Sequence, residues 1–452
     1  MITVYRIIVR SRKDKKAVEA ALRKFLKDWY DFIKVETLGG SRSIDKIVDY
    51  ILEKCNTDKM LNIVLVSRSI RKLATSLDAI PFNMALVLIE KRDVRNARLH
   101  EILKSILRGM AEFRLRVYWL ENEKAHAIYQ VKNSILLSSK FSPFYDVYYA
   151  LGAKHMMFWS KLLGSNLMSI PIVFKLDKGI HELYIGSSRI ATLVLEEDKP
   201  PYKIRSSENV PLDVQVDIQR SIYLNRKPLN FVAELSKKLI RDAYEKVEPD
   251  AVIVPWSAGK DSTCTLKLTL EALGHKANIV PIHVHIDLDF PENLEYVNLV
   301  SKLLKVNVEI AECSLAEEVL KRGLPSRDDR WCTKLKIKAL YDSIRKFSEK
   351  PLIVVGDRDS ESLLRLKRPP LRSHEEFKQV APIKFWSSLW VQFFLMSRKI
   401  PLNPLYHYGF YRLGCMICPL FRGWEIMLFD EYYKEKYKWR LAKASQERCE
   451  VN

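Results

Sequence analysis

No apolar run in the 452 residues approaches the roughly 18 that a membrane-spanning helix requires, which excludes a helical membrane span. The opening Met1-Ile2-Thr3-Val4-Tyr5-Arg6 lacks the layout of a secretory signal, so the expected location is the cytoplasm. Cysteine is scarce: seven residues, unevenly spaced, are too few for a disulfide scaffold. In a reducing compartment they point to metal binding or redox chemistry. Internal repeats and low-complexity tracts are absent. Acidic residues are too few to balance the bases, 55 Asp and Glu against 75 Lys and Arg, a net charge of +20. A highly charged surface accounts for the abundance of charge but not for its sign. The excess favours a polyanionic partner over an acidic small molecule alone.

The length leaves room for two or three domains, each able to bury its own core. Residues 1–135 predict a small α/β domain, with strands at 4–9, 61–66 and 84–89 and helices at 14–29 and 44–55. It carries no defensible chemical motif; Gly39-Gly40 reads as a turn, because no strand leads into it. Residues 140–205 predict short strands at 170–176, 182–185 and 190–195, punctuated by Gly179 and Gly186-Ser187-Ser188. This layout is similar to the small β-barrel RNA-binding (PUA-like) modules. Pro200-Pro201 and the polar run 205–209 read as a linker. Over 225–430 a helix at 229–247 leads into alternating strands (251–255, 279–286, 306–311, 352–355) and helices (292–305, 315–322, 333–347). That alternation predicts a parallel sheet with helices on both faces and ligands at the carboxyl ends of the strands. Residues 431–452 form a basic-aromatic tail.

The most informative segment is Trp256-Ser257-Ala258-Gly259-Lys260-Asp261-Ser262-Thr263, between the apolar run 251–255 and a helical stretch that stops at Gly274. A buried strand feeding a Ser/Gly turn at a helix start aims unpaired N–H groups and the positive dipole end at one spot, where an anion is stabilised. Gly259 lets backbone approach phosphates, Lys260 adds a point charge, Ser257 and Ser262 add hydroxyl donors, and Asp261 can hold Mg²⁺ between phosphate oxygens. The string lacks Walker-loop spacing. It resembles the SGGKDS loop of the PP-loop ATP pyrophosphatases, which split ATP between the α and β phosphates.

Asp287, after the strand at 279–286, is placed to accept from a ribose hydroxyl or an adenine amine. His283 and His285 share one face of that strand and read as hydrogen-bonded structural histidines rather than a metal pair, for want of a third ligand. Further on stand Arg327-Asp328-Asp329-Arg330-Trp331-Cys332, Gly356-Asp357-Arg358-Asp359-Ser360-Glu361-Ser362 with Arg365, and Leu413-Gly414-Cys415-Met416-Ile417-Cys418-Pro419. In order and spacing these segments resemble the phosphoadenylyl sulfate (PAPS) reductase family over residues 229–422. The resemblance implies a Rossmann-like, adenine nucleotide alpha-hydrolase-like domain in which Lys260, Arg330, Arg358 and Arg365 bind the anionic groups of the nucleotide. Planar guanidinium forks suit that task.

The cysteine spacing is similar to that of adenylyl sulfate reductases, where a Cys-Cys pair and a later C-x-x-C hold a [4Fe–4S] cluster. Trp331 stands where the first Cys of the pair would be. Cys332, Cys415 and Cys418 remain, which resembles the tRNA-thiolating PP-loop enzymes; Cys264, Cys313 or Cys449 could close a four-cysteine site, and zinc is the alternative metal. Cys449 lacks the neighbours of a reductase nucleophile and reads as an incidental thiol. Tyr432-Tyr433-Lys434-Glu435-Lys436-Tyr437-Lys438-Trp439-Arg440 reads either as an RNA-stacking surface or as a helix face packed on the core.

The resulting expectation is an enzyme that binds ATP and Mg²⁺, adenylates an acceptor, expected to be a base of a tRNA-like RNA, and delivers sulfur to it through the cysteines. A sulfur donor or thiol reductant is then a partner. The rival expectation is reduction of PAPS or adenylyl sulfate to sulfite; a third is a non-catalytic RNA-binding nucleotide sensor. Oligomeric state is open.

Overall fold

The computed structural model of the chain describes residues 3–41, 43–57, 59–66, 73, 80–89, 93–195, 203–206, 214–435 and 438. The N-terminal strands Tyr5–Val9, Ile33–Thr37, Leu61–Val66 and Met84–Leu88 form an all-parallel sheet in the order 2-1-3-4. Alternate residues serve opposite faces: Ile7, Ile63 and Val87 pack with the helices Arg12–Phe25 and Leu99–Leu115, while Ile8, Val64 and Val66 pack with Ile44–Thr57. The predicted α/β unit is present. The helix expected at 14–29 is shorter, ending at Phe25 and passing into a 3₁₀ turn, Lys27–Phe32. Gly39 and Gly40 follow the strand Ile33–Thr37, which sequence reading missed; both take positive φ, as a turn requires.

The middle module is a five-stranded antiparallel sheet of Asp146–Tyr149, Ile172–Lys175, Ile180–Ile185, Ser188–Val194 and Lys203–Ser206, paired in sequence order. Among the described residues it is open, its first and last strands forming the two edges. Lys203–Ser206 pairs with Ala191–Val194, so Arg205 and Ser206 belong to the sheet rather than to a linker; Pro200 and Pro201 lie outside the described residues. One face, with Tyr148, Val173, Leu183 and Leu193, packs on Phe410, Phe421, Trp424 and Leu428 from the end of the chain.

The third sheet runs in the order Glu309–Cys313, Ile279–Ile286, Ala251–Pro255, Pro351–Val354, Phe377–Val380, Leu371–His374, parallel except for the last pair. Val252, Val254, Leu352 and Val354 face the helices Arg226–Val247, Lys260–Leu273 and Ser388–Ser397, and Ile253, Ile282 and Ile353 face Trp331–Phe347. Both faces are thus covered, as a parallel sheet demands. From Ala251–Pro255 the chain first builds outward on one side, then crosses to Pro351–Val354 on the other. The topological switch point therefore lies at the carboxyl end of Ala251–Pro255, where ligands bind in such sheets. Reciprocal bonds between Tyr149 and Gln392 (2.9 and 3.0 Å) and a bond from Trp29 Nε1 to the Leu366 carbonyl (3.1 Å) tie the three sheets together.

Candidate active site

The loop 256–259 leaves the central strand at the switch point and enters the helix Lys260–Leu273 through Gly259. Its hydroxyls bind the loop to itself: Ser262 Oγ donates to the Gly259 carbonyl (3.0 Å) and accepts from Ser257 N–H (3.3 Å), and Thr263 Oγ1 donates to the same carbonyl (2.9 Å). Ala258 is fully buried with φ +60°, a left-handed conformation that glycine would adopt at less cost. Asn403 holds it there, its Nδ2 donating to the Ala258 carbonyl (3.3 Å). Gly356 shows why a glycine follows the strand Pro351–Val354: a Cβ there would stand 3.0 Å from the Asp261 carbonyl carbon and 3.1 Å from Ser262 N.

Three of the expected residues meet here. Lys260 Nζ lies 2.9 Å from Asp261 Oδ2 and faces the rings of Tyr406 and Tyr411, with centroids at 5.0 and 5.4 Å. Asp261 Oδ1 lies 2.8 Å from Arg358 Nε. Burial raises the Asp261 carboxyl, but Arg358 and then Lys260 outweigh it and hold the group below the usual carboxylate range. Arg358 is 1% exposed and its Nη1 lies 2.7 Å from Asp146 Oδ2. Asp146 comes from the first strand of the middle sheet. It also accepts from Ser388 N–H (2.8 Å), Ser388 Oγ (2.7 Å) and Tyr411 Oη (2.5 Å). Burial raises it; Arg358, Tyr411 and Ser388 together depress it well below the ordinary value.

The other expected residues stand apart. Arg365 is half-buried and pairs with Glu361 and, at 3.5 Å, with Asp357. Arg330 is exposed beside Thr333 (3.1 Å). Asp287 is turned to Ser314 Oγ (2.8 Å) and the N–H groups of Leu315 (2.8 Å) and Ala316 (3.0 Å), where it closes the start of the following helix. Asp289, two residues on, is the carboxylate that lines the cavity beside the loop. It accepts from Phe290 N–H and Asn293 Nδ2, both at 2.8 Å, and burial pushes it up to about 6. That cavity, about 290 Å³, runs from Ser257 past His283 to Lys336 and Cys415, near the lower end of small-molecule sites.

Cys332, Cys415 and Cys418 converge on one apolar cluster with Cys313. Among the described residues, however, no three Cys, His, Asp or Glu groups are arranged to hold a metal ion. Lys336 Nζ donates instead to Cys415 Sγ (3.1 Å). Burial pushes the Cys415 thiol up to about 11, with Lys336 drawing it back. His283 donates from Nδ1 to the Trp256 carbonyl (2.8 Å), and His285 stands beside it, ring centroids 6.5 Å apart. In the tail, Tyr433 is buried, its ring 4.6 Å from that of Phe290, so this part of the aromatic run is core; Trp439 and Cys449 lie outside the described residues. No helix among the described residues is long and apolar enough to cross a membrane.

A Ser/Gly loop at the switch point, a lysine and aspartate at the helix start and an adjoining cavity make an arrangement suited to an anionic ligand. Residues 251–421 match the phosphoadenosine phosphosulfate reductase domain. An uncharacterized protein of Methanocaldococcus jannaschii is 32% identical over 252 residues, 54% of this chain and 50% of that one. A second from the same organism is 28% identical over 47% of this chain and 54% of its own length; the chain thus spans about half the length of these relatives. An adenosine 5'-phosphosulfate reductase of Oceanobacillus iheyensis is 24% identical over 40% of this chain and 77% of its own. Among solved structures, the phosphate complex of PAPS reductase from Candida auris aligns at TM-score 0.33 and 16% identity, covering 42% of this chain and 96% of that one.

Sequence reasoning missed Asp146, Asp289, Tyr406 and Tyr411. Tyr411 stands two residues before the Leu413–Pro419 segment. Asp146 lies outside the matched domain in a stretch with no motif, so only the fold reveals it.

Proposed function

We propose that the chain is a PP-loop enzyme that binds ATP and Mg²⁺, transfers the adenylyl group to an acceptor and releases pyrophosphate. The meeting of Lys260, Asp261 and Arg358 at the switch point, beside a nucleoside-sized cavity, carries this reading. The helix start and Lys260 stabilise the phosphates and the charge that grows on them in the transition state. Arg358, held by Asp146 and Asp261, fixes the Asp261 carboxylate at the loop. Asp261 offers the hard oxygen that suits Mg²⁺ and would hold it by trading away its contact with Lys260; when bound, the ion neutralises charge between phosphate oxygens. Arg365, within electrostatic reach of Asp261, and Arg330, beside the cavity-lining Thr333, would be further anion contacts.

The acceptor in this reading is an RNA base, supported by the net charge of +20. Sulfur transfer would fall to Cys415, the thiol that lines the cavity: a persulfide-bearing donor would load it as a persulfide, the outer sulfur would displace AMP from the adenylated base, and a thiol reductant would release the thiolated product. No step is assigned to a metal cluster, since no group of three metal-binding side chains is found among the described residues. A second reading, reduction of adenylyl sulfate or PAPS to sulfite, is favoured by relatives that bear the reductase name.

Incubation of the purified protein with ATP, PAPS and adenylyl sulfate, with and without tRNA, separates the readings. RNA-dependent pyrophosphate release supports adenylation; sulfite release supports the reductase. RNA binding should weaken steeply with salt, with a log–log slope of several units.

A further inference from the structure

A second lysine beside the phosphate loop lacks a counter-ion. Lys175 ends the strand Ile172–Lys175 of the middle sheet, directly opposite Asp146 in the antiparallel register, so both side chains leave the same face. That carboxylate is already engaged by Arg358, Ser388 and Tyr411. Lys175 Nζ makes no hydrogen bond and no ion pair among the described residues. The residue is 7% exposed, against 4% for Lys260, and its Nζ is not sealed from solvent. Burial and then Arg422 hold the ammonium down to about 8, with Asp146 opposing them. Buried cations are ordinarily paired, and a site that leaves one open is completed by an anion from outside.

The position of Lys175 indicates which anion. Its Nζ lies 5.2 Å from the centre of the Tyr411 ring, and Lys260 Nζ lies 5.4 Å from the same centre. The two ammonium groups are no farther apart than those distances laid end to end, a gap that one triphosphate chain can bridge. Neither lysine lines the nucleoside-sized cavity, so the group they can share is the phosphate tail. Arg422 and Arg358 also act on Lys175, against Asp146 and Glu425, which adds to the attraction of this spot for a multiply charged anion.

We propose that Lys175, outside the matched domain, binds the terminal phosphates of the nucleotide opposite Lys260. This rests on the reading that the loop binds a nucleoside triphosphate. When the acceptor bonds to the α phosphorus, the bond to the α–β bridging oxygen breaks and its electron pair stays on the pyrophosphate. Lys175 meets that growing charge from the side of the middle sheet.

Calorimetric titration of ATP, inorganic pyrophosphate and AMP into the wild type, Lys260→Ala and Lys175→Met tests it. Lys175→Met should bind ATP and pyrophosphate roughly ten-fold or more weakly, the worth of one charge-assisted hydrogen bond, and AMP as the wild type does. Its ligand-free melting temperature should stay level or rise, because an unpaired buried cation is gone. A Lys175→Met protein that melts below the wild type, or that loses AMP affinity to the same degree, has lost structure rather than a phosphate contact and overturns the inference. Unchanged affinities for ATP and pyrophosphate overturn it too, and a loss confined to Lys260→Ala then leaves the loop reading intact. A wild type that binds neither ATP nor pyrophosphate overturns both.

Discussion

Asp146 Oδ2 and Arg358 Nη1 lie 2.7 Å apart across 212 residues of sequence, both side chains buried. The pair joins the middle sheet to the phosphate loop, because Arg358 also holds Asp261 at 2.8 Å. The side-chain group around the loop thus extends beyond the matched domain.

Removing one partner of a buried ion pair strands the other charge. Asp146→Ala should therefore cost about 3–5 kcal/mol of stability, read as a lower denaturant midpoint; Asp146→Asn, which keeps acceptors for Ser388 and Tyr411, should cost less. The Asp146 carboxyl is depressed in the folded protein, so its stabilisation is in place above the unfolded value of about 3.9 and is lost as pH falls through the folded one. A loss under about 1 kcal/mol for Asp146→Ala would contradict the clamp.

Asp289 acts in the opposite sense. Burial raises it to about 6 in the folded protein, so the folded state binds more protons than the unfolded one between about pH 4 and 6. Its contribution to stability should fall as pH rises through that window. Asp289→Asn should remove this part of the slope, measured by urea unfolding at stepped pH; an unchanged slope would count against it.

Gly356→Ala should disturb the loop directly, since the new methyl meets backbone atoms at 3.0–3.1 Å that no rotamer change can move. Overpacking of this kind costs about 1–3 kcal/mol. Both melting temperature and ATP affinity should drop; wild-type values for both would show that the loops part easily.

Lys336 stands between the cavity and the thiols. It lowers the Cys415 pKa against burial, so Lys336→Met should push that thiol further up and slow its alkylation at mildly alkaline pH, because the thiolate is the reactive form. Mass-spectrometric mapping of labelled peptides reads the rate at Cys415; an unchanged or faster rate would argue against the contact.

Much of the C-terminal sheet was legible because parallel strands buried on both faces leave apolar runs, as at 279–286, and because Ser257 to Thr263 carries its chemistry locally. Where strands carry no apolar run the pattern was mute: Leu371–His374 and Phe377–Val380, a short hairpin at the sheet edge rich in Arg, Ser, His, Lys and Gln, went unread. The helices Leu99–Leu115 and Ser388–Ser397 were missed as well, the second being so uniformly buried that it shows little amphipathic periodicity. Asp287 and Asp289 show the limit at side-chain level. Both follow the same strand, and only the packing of Ser314 to Ala316 decides that Asp287 caps a helix while Asp289 faces the cavity.

The phosphate loop itself is tested most directly by calorimetric titration of ATP, with and without Mg²⁺, into the wild type, Lys260→Ala and Asp261→Asn. Lys260→Ala should weaken binding by about 2–3 kcal/mol, since it removes a charge aimed at phosphates in a partly dry site. Asp261→Asn should bind ATP with no dependence on Mg²⁺. Equal affinity and equal Mg²⁺ dependence in all three proteins would contradict the assignment of residues 257–262 as the nucleotide's phosphate site.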